Sequence, residues 1–213
     1  MMFVAFEQAF TSAIDRGWLD CSPQLVFYLY PVKILVVAGL LLSYRGHYSE
    51  ISLKDLSRYS TSFLSIASGL LVFVLWIRMD WTLSSAHGPR GYNLLLLNEG
   101  SMRVILGGFR VVGATIVVPI MEELFWRSFL MRYISDRKFD SVPIGTFSLP
   151  SFLITVLLFG VEHDYLVAGM MAGVIYNLLI YKTRSVAQCI LAHMVTNASL
   201  AWYVLAAGRW DYW

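Results

Sequence analysis

The chain has 213 residues, of which 58% are hydrophobic and only 14% are charged, and its formal net charge is +2. Soluble globular domains carry about a quarter charged residues, so this composition excludes an ordinary soluble domain and indicates an integral membrane protein. The small net charge gives no reason to expect a nucleic-acid partner. The two cysteines, Cys21 and Cys189, form no CxxC pair, which argues against a dithiol redox carrier.

Long apolar runs recur along the chain, and each is predicted to be a membrane helix because about 20 such residues cross roughly 30 Å of hydrocarbon. Six spans are predicted in chain order: residues 24–43, 61–79, 103–131, 149–163, 165–181 and 187–207. The first apolar stretch, Met1 to Ile14, contains Glu7 and is short, so residues 1–19 either add a seventh span or lie at the interface. The predicted fold is all-α: one membrane domain over residues 1–213, a polytopic transmembrane helical bundle of six to seven spans in the cell (inner) membrane.

The stretch "VVPIMEELFWRSFL", residues 117–130, places three charges inside the third predicted span. A charge at the bilayer centre costs on the order of 3 kcal/mol, so such residues should face a protein interior or a wet cavity. Glu123 and Arg127 are four residues apart and can form an ion pair on one helix face. Glu122 then has no ion-pair partner within this stretch. Pro119 removes a backbone donor and is expected to kink the helix. The alternative is a charge cluster at the headgroups.

Two further polar motifs follow in later spans. "FGVEH" places His163 four residues after Phe159, and "HMVTN" places His193 and Asn197 four residues apart, so each pair shares a helix face. Taken alone, His163 could be an interface residue. The His193 and Asn197 pair could merely hydrogen-bond a neighbouring helix.

Together, the three clusters hold the groups that amide hydrolysis needs, and an intramembrane polar cavity is predicted where they meet. A carboxylate can take a proton from water, and an imidazole with a carboxamide can stabilise an oxyanion. The cofactor prediction is none, with a divalent metal as the alternative: Glu122, His163 and His193 could bind Zn²⁺ and activate its water. The HExxH zinc signature is absent.

The depths of these residues raise a geometric problem. At ~1.5 Å per residue, Glu122 lies nearly 30 Å along its helix from Arg103, while His163 lies only about 21 Å from Leu149. Straight spans would hold the two residues at different depths. The prediction therefore requires a long, tilted helix and a cavity that reaches the middle of the membrane.

In order along the chain, "EELFWR" matches EExxxR, "FGVEH" matches FxxxH and "HMVTN" matches HxxxN. This ordered trio resembles the CPBP family, also called the Abi or type II CAAX prenyl endopeptidase family, of intramembrane proteases. The resemblance is sharpest over residues 103–207, which are predicted to be the catalytic core. More loosely, the whole chain is similar to the CAAX-protease-related proteins of bacterial exosortase and PEP-CTERM systems.

The resemblance implies an intramembrane endopeptidase that hydrolyses a peptide bond of a membrane protein or peptide substrate. Glu122 would be the base that activates water, with His163 assisting, and His193 with Asn197 would hold the oxyanion. The two remaining motif residues would support their helix: Glu123 and Arg127. The implied partners are the substrate, the lipid bilayer and exosortase-system proteins.

Two other function classes stay open from the sequence. The chain could be a non-catalytic member of the same fold that acts as an immunity, scaffold or protein-maturation partner. It could also be an electron carrier with a b-type haem between His163 and His193, although Arg127 and the glutamates would then have no role. A transporter would be expected to show inverted repeats, and none is visible.

Gly169 and Gly173, with Ala168 and Ala172, are predicted to pack closely against a neighbouring helix.

Overall fold

A computed structural model describes residues 16, 18, 25–79, 92–97 and 100–213. In these residues the chain is all-α, as predicted, and contains no strand. The helices are α1 (Leu25–Ser43), α2 (Tyr59–Trp76), α3 (Ser101–Ser135), α4 (Leu149–Val161), α5 (Leu166–Thr183) and α6 (Val186–Ala207). Each corresponds to one of the six predicted spans. The candidate seventh span, residues 1–19, lies outside the described residues except for Arg16 and Trp18.

Four helices are long and apolar enough to cross a membrane: α2, α3, α5 and α6. The other two helices, α1 and α4, are apolar but shorter. The 13 residues of α4 extend only about 20 Å at 1.5 Å per residue. Large apolar side chains such as Leu35, Phe63 and Val104 are exposed on the outer surface. These features are those of an integral membrane protein, because exposed side chains of this kind suit lipid contact.

Helix α3 is unusually long and irregular. Its 35 residues would extend about 50 Å, well beyond the roughly 30 Å of hydrocarbon. Two π-helical segments, Gly113–Val117 and Leu124–Leu130, bracket the α-helical turn Val118–Glu123 that carries the paired glutamates. Pro119 explains part of this irregularity, because it supplies no N–H to the helix.

Helices α2 and α6 pack at very short range. A Cβ atom on Gly69 would clash with the carbonyl oxygen of Ala192, and the Thr196 hydroxyl donates to the Gly69 carbonyl over 2.8 Å. At the other end of the same contact, the Gln188 amide accepts from Ser65 over 2.6 Å and donates to the Asp55 carbonyl over 2.8 Å. Helix α6 is thereby fixed against α2 near its start and again near its middle.

The small residues of α5 pack against α4, which confirms the prediction of a close helix contact. A Cβ atom on Gly169 would lie 3.0 Å from the Cα atom of Gly160, and one on Gly173 would lie 3.3 Å from the Cα atom of Val156. The residues that follow α4 are therefore held close to α5. Among them is His163, whose Cβ atom lies 3.2 Å from the Cβ position of Gly169.

The C-terminal segment folds back over one end of the bundle. Asp211 accepts two hydrogen bonds of 2.9 Å from Arg209 and one of 3.1 Å from the Tyr165 hydroxyl. The Tyr212 hydroxyl donates to the Ile77 carbonyl over 3.3 Å. These hydrogen bonds, from the Arg209 guanidinium above all, hold the pKa of Asp211 below its usual value.

Replacement of Gly69 tests the α2–α6 contact. Gly69→Ala should lower the melting temperature of the detergent-solubilised protein, because the added methyl group forces the helices apart at a cost of about 1–3 kcal/mol. Gly39→Ala in α1 is the matched control, since no atom lies within 4 Å of its Cβ position. The control should be neutral or slightly stabilising. Equal melting temperatures for the two variants would contradict the described contact.

The lowered pKa of Asp211 predicts a pH-dependent contribution to stability. This contribution is complete above the unfolded-state pKa, near 3.9, and is lost as the pH falls from there through the lower folded-state pKa. Asp211→Asn should therefore lower the melting temperature at neutral pH, and the difference from wild type should shrink in acid. A constant difference at every pH would contradict the assignment.

Candidate active site

A cavity of about 270 Å³ lies between the helices and brings the three polar motifs together. Glu122 from α3, His163 from the end of α4, and His193 and Asn197 from α6 all line it. At about 30 Å³ per water molecule, it has room for several waters. The remaining two predicted residues lie behind the wall, where they are fully buried: Glu123 and Arg127.

The structure also shows how residues at different predicted depths reach one cavity. Helix α3 continues well past Glu122, to Ser135. Helix α4 is short and ends at Val161, so His163 comes directly after its last turn. Because α3 is long, Glu122 lies well inside that helix, and because α4 ends early, His163 can lie at the same level. The two residues therefore meet although straight spans would place them at different depths.

Glu123 is the most enclosed charge of the cluster, with 0% of its surface exposed. Its Oε1 atom lies 3.2 Å from Nη1 of Arg127, as predicted from their spacing, and also 2.8 Å from Nδ1 of His193. A carboxylate paired with a guanidinium is ionised and can only accept hydrogen bonds. Nδ1 of His193 must therefore carry the proton. The other ring nitrogen, Nε2, lies 4.0 Å from Oε2 of Glu122.

Aromatic rings enclose this charged group. The guanidinium carbon of Arg127 lies 4.6 Å from the ring centroid of Phe159 and 5.3 Å from that of Tyr176. Tyr176 stacks on the His193 ring at 5.1 Å, and its hydroxyl donates to Thr196 over 2.7 Å. Because the rings exclude water, the charges interact more strongly than they would in solvent.

Asn197 completes a hydrogen bond that α3 itself cannot make. The N–H of Val118 bonds to the carbonyl of Gly113, five residues earlier, and not to that of Ala114. Pro119, the next residue, has no N–H to offer. The Ala114 carbonyl instead accepts from Nδ2 of Asn197 over 2.8 Å. Asn197 therefore ties α6 to the π-helical turn and keeps a second N–H for another acceptor.

His163 is held by the backbone of its own helix. Its Nδ1 atom lies 2.6 Å from the carbonyl oxygen of Phe159. Because a carbonyl only accepts, Nδ1 carries the proton and Nε2 is the ring nitrogen that can contact a ligand. The ring also packs edge-on against Trp76 at 5.3 Å.

Some residues of the cavity were not predicted as site residues. Glu162, Tyr176 and Thr196 line the same space, and Oε2 of Glu162 is buried without a hydrogen-bond partner. Glu162 stands in the "FGVEH" motif, which is a signal that could have found it. Tyr176 and Thr196 give no such signal, because an aromatic or hydroxyl residue in an apolar helix usually serves packing. Lys33 and Arg110 line the cavity as well.

The predicted zinc alternative requires three protein ligands close together. Among the residues that the structure describes, no group of three or more His, Cys, Asp and Glu side chains is arranged to hold a metal ion. Glu122, His163 and His193 share the cavity without forming such a group. Zinc binding stays a prediction from the sequence.

The comparison with known families supports the resemblance seen in the motifs. Residues 104–199, somewhat less than half of the chain, match the family model described as "Type II CAAX prenyl endopeptidase Rce1-like". All three motifs lie in the matched segment. The match supports the CPBP family and, with it, a membrane protease of the CAAX type. No curated protein and no solved structure gives a significant match.

Replacement of Arg127 tests the buried cluster. Arg127→Met removes the guanidinium and leaves the Glu123 carboxylate buried without its ion-pair partner. The free energy of unfolding should therefore fall by about 3–5 kcal/mol. The double variant Glu123→Gln/Arg127→Met removes both charges and should regain part of that stability. Thermal unfolding in detergent measures both effects. If Glu123→Gln lowered the free energy of unfolding as much in the Arg127→Met background as it does in wild type, the two residues would not be paired.

Proposed function

We propose that the protein is an intramembrane endopeptidase in which Glu122 activates water to hydrolyse a peptide bond of a membrane-associated protein or peptide. One observation carries this proposal: Glu122, His163, His193 and Asn197, from three separate segments, line one cavity. Within the described part of the chain, Oε2 of Glu122 has no hydrogen-bond partner although it is buried. An unsatisfied carboxylate oxygen beside a cavity of this size is a suitable acceptor for a bound water.

The first step is attack by that water. Glu122 takes one proton from the water molecule while the water oxygen forms a bond to the carbonyl carbon of the substrate. The carbonyl oxygen becomes an oxyanion. Glu122 is suited to this role because it lines the cavity, whereas Glu123 lies outside the lining and shares its Oε1 atom between Arg127 and His193.

The oxyanion needs donors that are in place before the reaction begins. Nε2 of His193 lies on the Glu122 side of the ring. It can donate to the oxyanion when the ring is an imidazolium, with a proton on each nitrogen. The second N–H of Asn197 is the other candidate donor. Glu123 orients His193, and the carbonyl of Ala114 orients Asn197. Both side chains are therefore oriented by bonds that the substrate does not have to form.

Collapse of the tetrahedral intermediate breaks the carbon–nitrogen bond. The departing amine takes the proton that Glu122 removed from water, and His163, which lines the same cavity, assists this transfer. The products are a new carboxylic acid, which keeps the second proton of the water, and an amine. No oxidant, reductant or further reactant is required.

The expected setting is the cell (inner) membrane, which the protein crosses several times. Apolar surfaces of the helices and an enclosed polar cavity support a substrate that is itself associated with the bilayer. The similarity to exosortase-associated proteins would make exosortase-system proteins its partners. That partnership is an inference from the sequence resemblance alone.

A non-catalytic scaffold or immunity protein with the same fold is the second candidate. It would use the cavity, if at all, for binding, and it would not need an unsatisfied carboxylate there. Loss of Glu122 would then leave its function unchanged.

Glu122→Gln should abolish cleavage, with a loss on the order of 100-fold or more, because glutamine cannot take a proton from water. The measurement is cleavage of membrane-embedded reporter peptides by the purified protein in nanodiscs, followed by mass spectrometry.

Asp164→Asn is the matched control. Asp164 is an acidic residue next to His163, but it is exposed and lies outside the cavity lining. It should cleave at close to the wild-type rate. Equal cleavage by Glu122→Gln and wild type would remove Glu122 from the mechanism and would favour the scaffold.

A further inference from the structure

Contacts between the connecting segments gather several helix ends at one end of the bundle. Gln188, near the start of α6, donates to the carbonyl of Asp55, just before α2, over 2.8 Å. Arg132, near the end of α3, lies 3.7 Å from Glu50 in the connection between α1 and α2. Helices α5 and α6 are joined by only two residues. The end of α1, the start of α2, the end of α3, the end of α5 and the start of α6 therefore lie together.

This end of the bundle carries a surface that we call the basic face. Its exposed cations are Arg45, Lys54, Arg58, Arg137, Lys138, Lys182 and Arg184. Two acidic residues are exposed beside them, Asp136 and Asp140. The same end exposes the rings of Tyr44, Tyr59 and Tyr133. Tyrosine is enriched at the level of the lipid headgroups, and clustered lysine and arginine side chains attract anionic lipids. The basic face is therefore suited to a leaflet of anionic lipids.

The opposite end, which the C-terminal segment covers, has a different charge pattern. Arg78 and Asp164 are both exposed there, one charge of each sign. Arg209 pairs with Asp211 over 2.9 Å. The asymmetry between the two ends is thus one of exposed charge.

The sequence outside the spans supports the same asymmetry. The end with the basic face holds eight lysine and arginine residues, since Arg132 adds to the seven exposed ones. The opposite end holds five even when Arg16 and Arg90 are both assigned to it: Arg16, Arg78, Arg90, Arg103 and Arg209. Because connections rich in lysine and arginine stay in the cytoplasm during insertion, this count favours a cytoplasmic basic face.

The cavity reaches the opposite end of the bundle and not the basic face. Its lining includes Trp76, the last residue of α2, and Trp213 of the C-terminal segment. On the other side of Glu122, the buried side chains of Trp126 and Met131 fill the space toward the basic face. Among the described residues, none from the connections 44–58, 136–148 or 184–185 lines the cavity. The cavity therefore opens away from the basic face.

We propose that the basic face lies against the anionic cytoplasmic leaflet and that the cavity opens toward the extracytoplasmic side of the membrane. The orientation follows from the charges and the cavity alone. The substrate class that it implies rests on the proposed function: an exported membrane-associated protein or peptide, whose cleaved bond reaches Glu122 from outside the cell. A cytoplasmic peptide would have to pass through the closed half of the bundle.

Single cysteines test the orientation without turnover. The background is the full-length protein with Cys21→Ser, in which the remaining Cys189 is buried. Asp164→Cys and Lys138→Cys place a thiol at exposed positions of the two opposite ends. In spheroplasts of expressing bacterial cells, a membrane-impermeant maleimide should label Asp164→Cys about tenfold faster than Lys138→Cys, and permeabilisation should remove the difference. Faster labelling of Lys138→Cys, or equal labelling of the two, overturns the assignment.

A cysteine in the cavity tests the direction of its opening. Val118 lines the cavity between the opposite end and Glu122. In Val118→Cys, a charged methanethiosulfonate reagent added outside spheroplasts should modify the thiol. Modification in inverted membrane vesicles alone would place the opening on the cytoplasmic side. Modification from neither side would show that the cavity has no open mouth. Either result overturns the proposed opening.

Neutralisation of the basic face tests whether its charge sets the orientation. Four substitutions to glutamine, at Arg137, Lys138, Lys182 and Arg184, lower the count of lysine and arginine at this end from eight to four, below the five of the opposite end. In this variant the labelled fraction of Asp164→Cys in spheroplasts should fall by about half or more. Arg78→Gln, at an exposed arginine of the opposite end, is the matched control and should leave the fraction unchanged. Full labelling of the fourfold variant contradicts a role for the basic face.

A pair of membrane-anchored reporters tests the substrate class. Wild type should cut a reporter whose cleavable segment is exported and should spare the same segment on the cytoplasmic side, and Glu122→Gln should cut neither. Cleavage of the cytoplasmic segment that depends on Glu122 would show that the substrate class is wrong while the proposed function holds. If the labelling pattern is as expected but cleavage does not depend on Glu122, the proposed function fails and the orientation stands.

Discussion

The carboxylate of Glu123 is the group on which the rest of the site depends. Removed from water, it would be costly without partners, and it has one from its own helix, Arg127, and one from α6, His193. The first neutralises it, and the second joins two helices through residues that are 70 positions apart in sequence. Because Glu123 accepts a hydrogen bond from Nδ1–H of His193, the opposite ring nitrogen lies toward Glu122. One buried charge therefore sets both the helix contact and the orientation of the candidate catalytic imidazole.

The irregular backbone of α3 makes a second connection to α6. The π-helical turn and Pro119 leave the Ala114 carbonyl without a donor from its own helix, and Asn197 supplies one. Departures from α-helical geometry of this kind are frequent at functional sites. Here the departure has a physical use, because it fixes one N–H of Asn197 and orients the other. The two contacts, at Glu123 and at Ala114, hold the same face of α6 against α3.

Much of this arrangement could be predicted from sequence, because the signals were local. Apolar length located the six helices, and the spacing of Glu123 and Arg127 predicted their ion pair. Contacts between elements gave no such signal: nothing in the spacing indicated that His193 would share Glu123, or that Asn197 would bond to Ala114. Arg110 was not recognised as a cavity residue, because the position of an arginine in an apolar helix becomes clear only once its neighbours are known. The short fourth predicted span, residues 149–163, corresponds to α4, and the close packing of the small residues of α5 against it accounts for its position.

The proposed hydrolysis requires groups from three segments to act together on a peptide bound in one cavity. The decisive measurement is an experimental structure of the Glu122→Gln protein, determined with a membrane-associated peptide trapped in it. We expect a peptide carbonyl between residue 122 and Nε2 of His193, with its oxygen within hydrogen-bond reach of His193 or Asn197. A peptide bound on the outer surface, or Glu123 and His193 found apart, would contradict it.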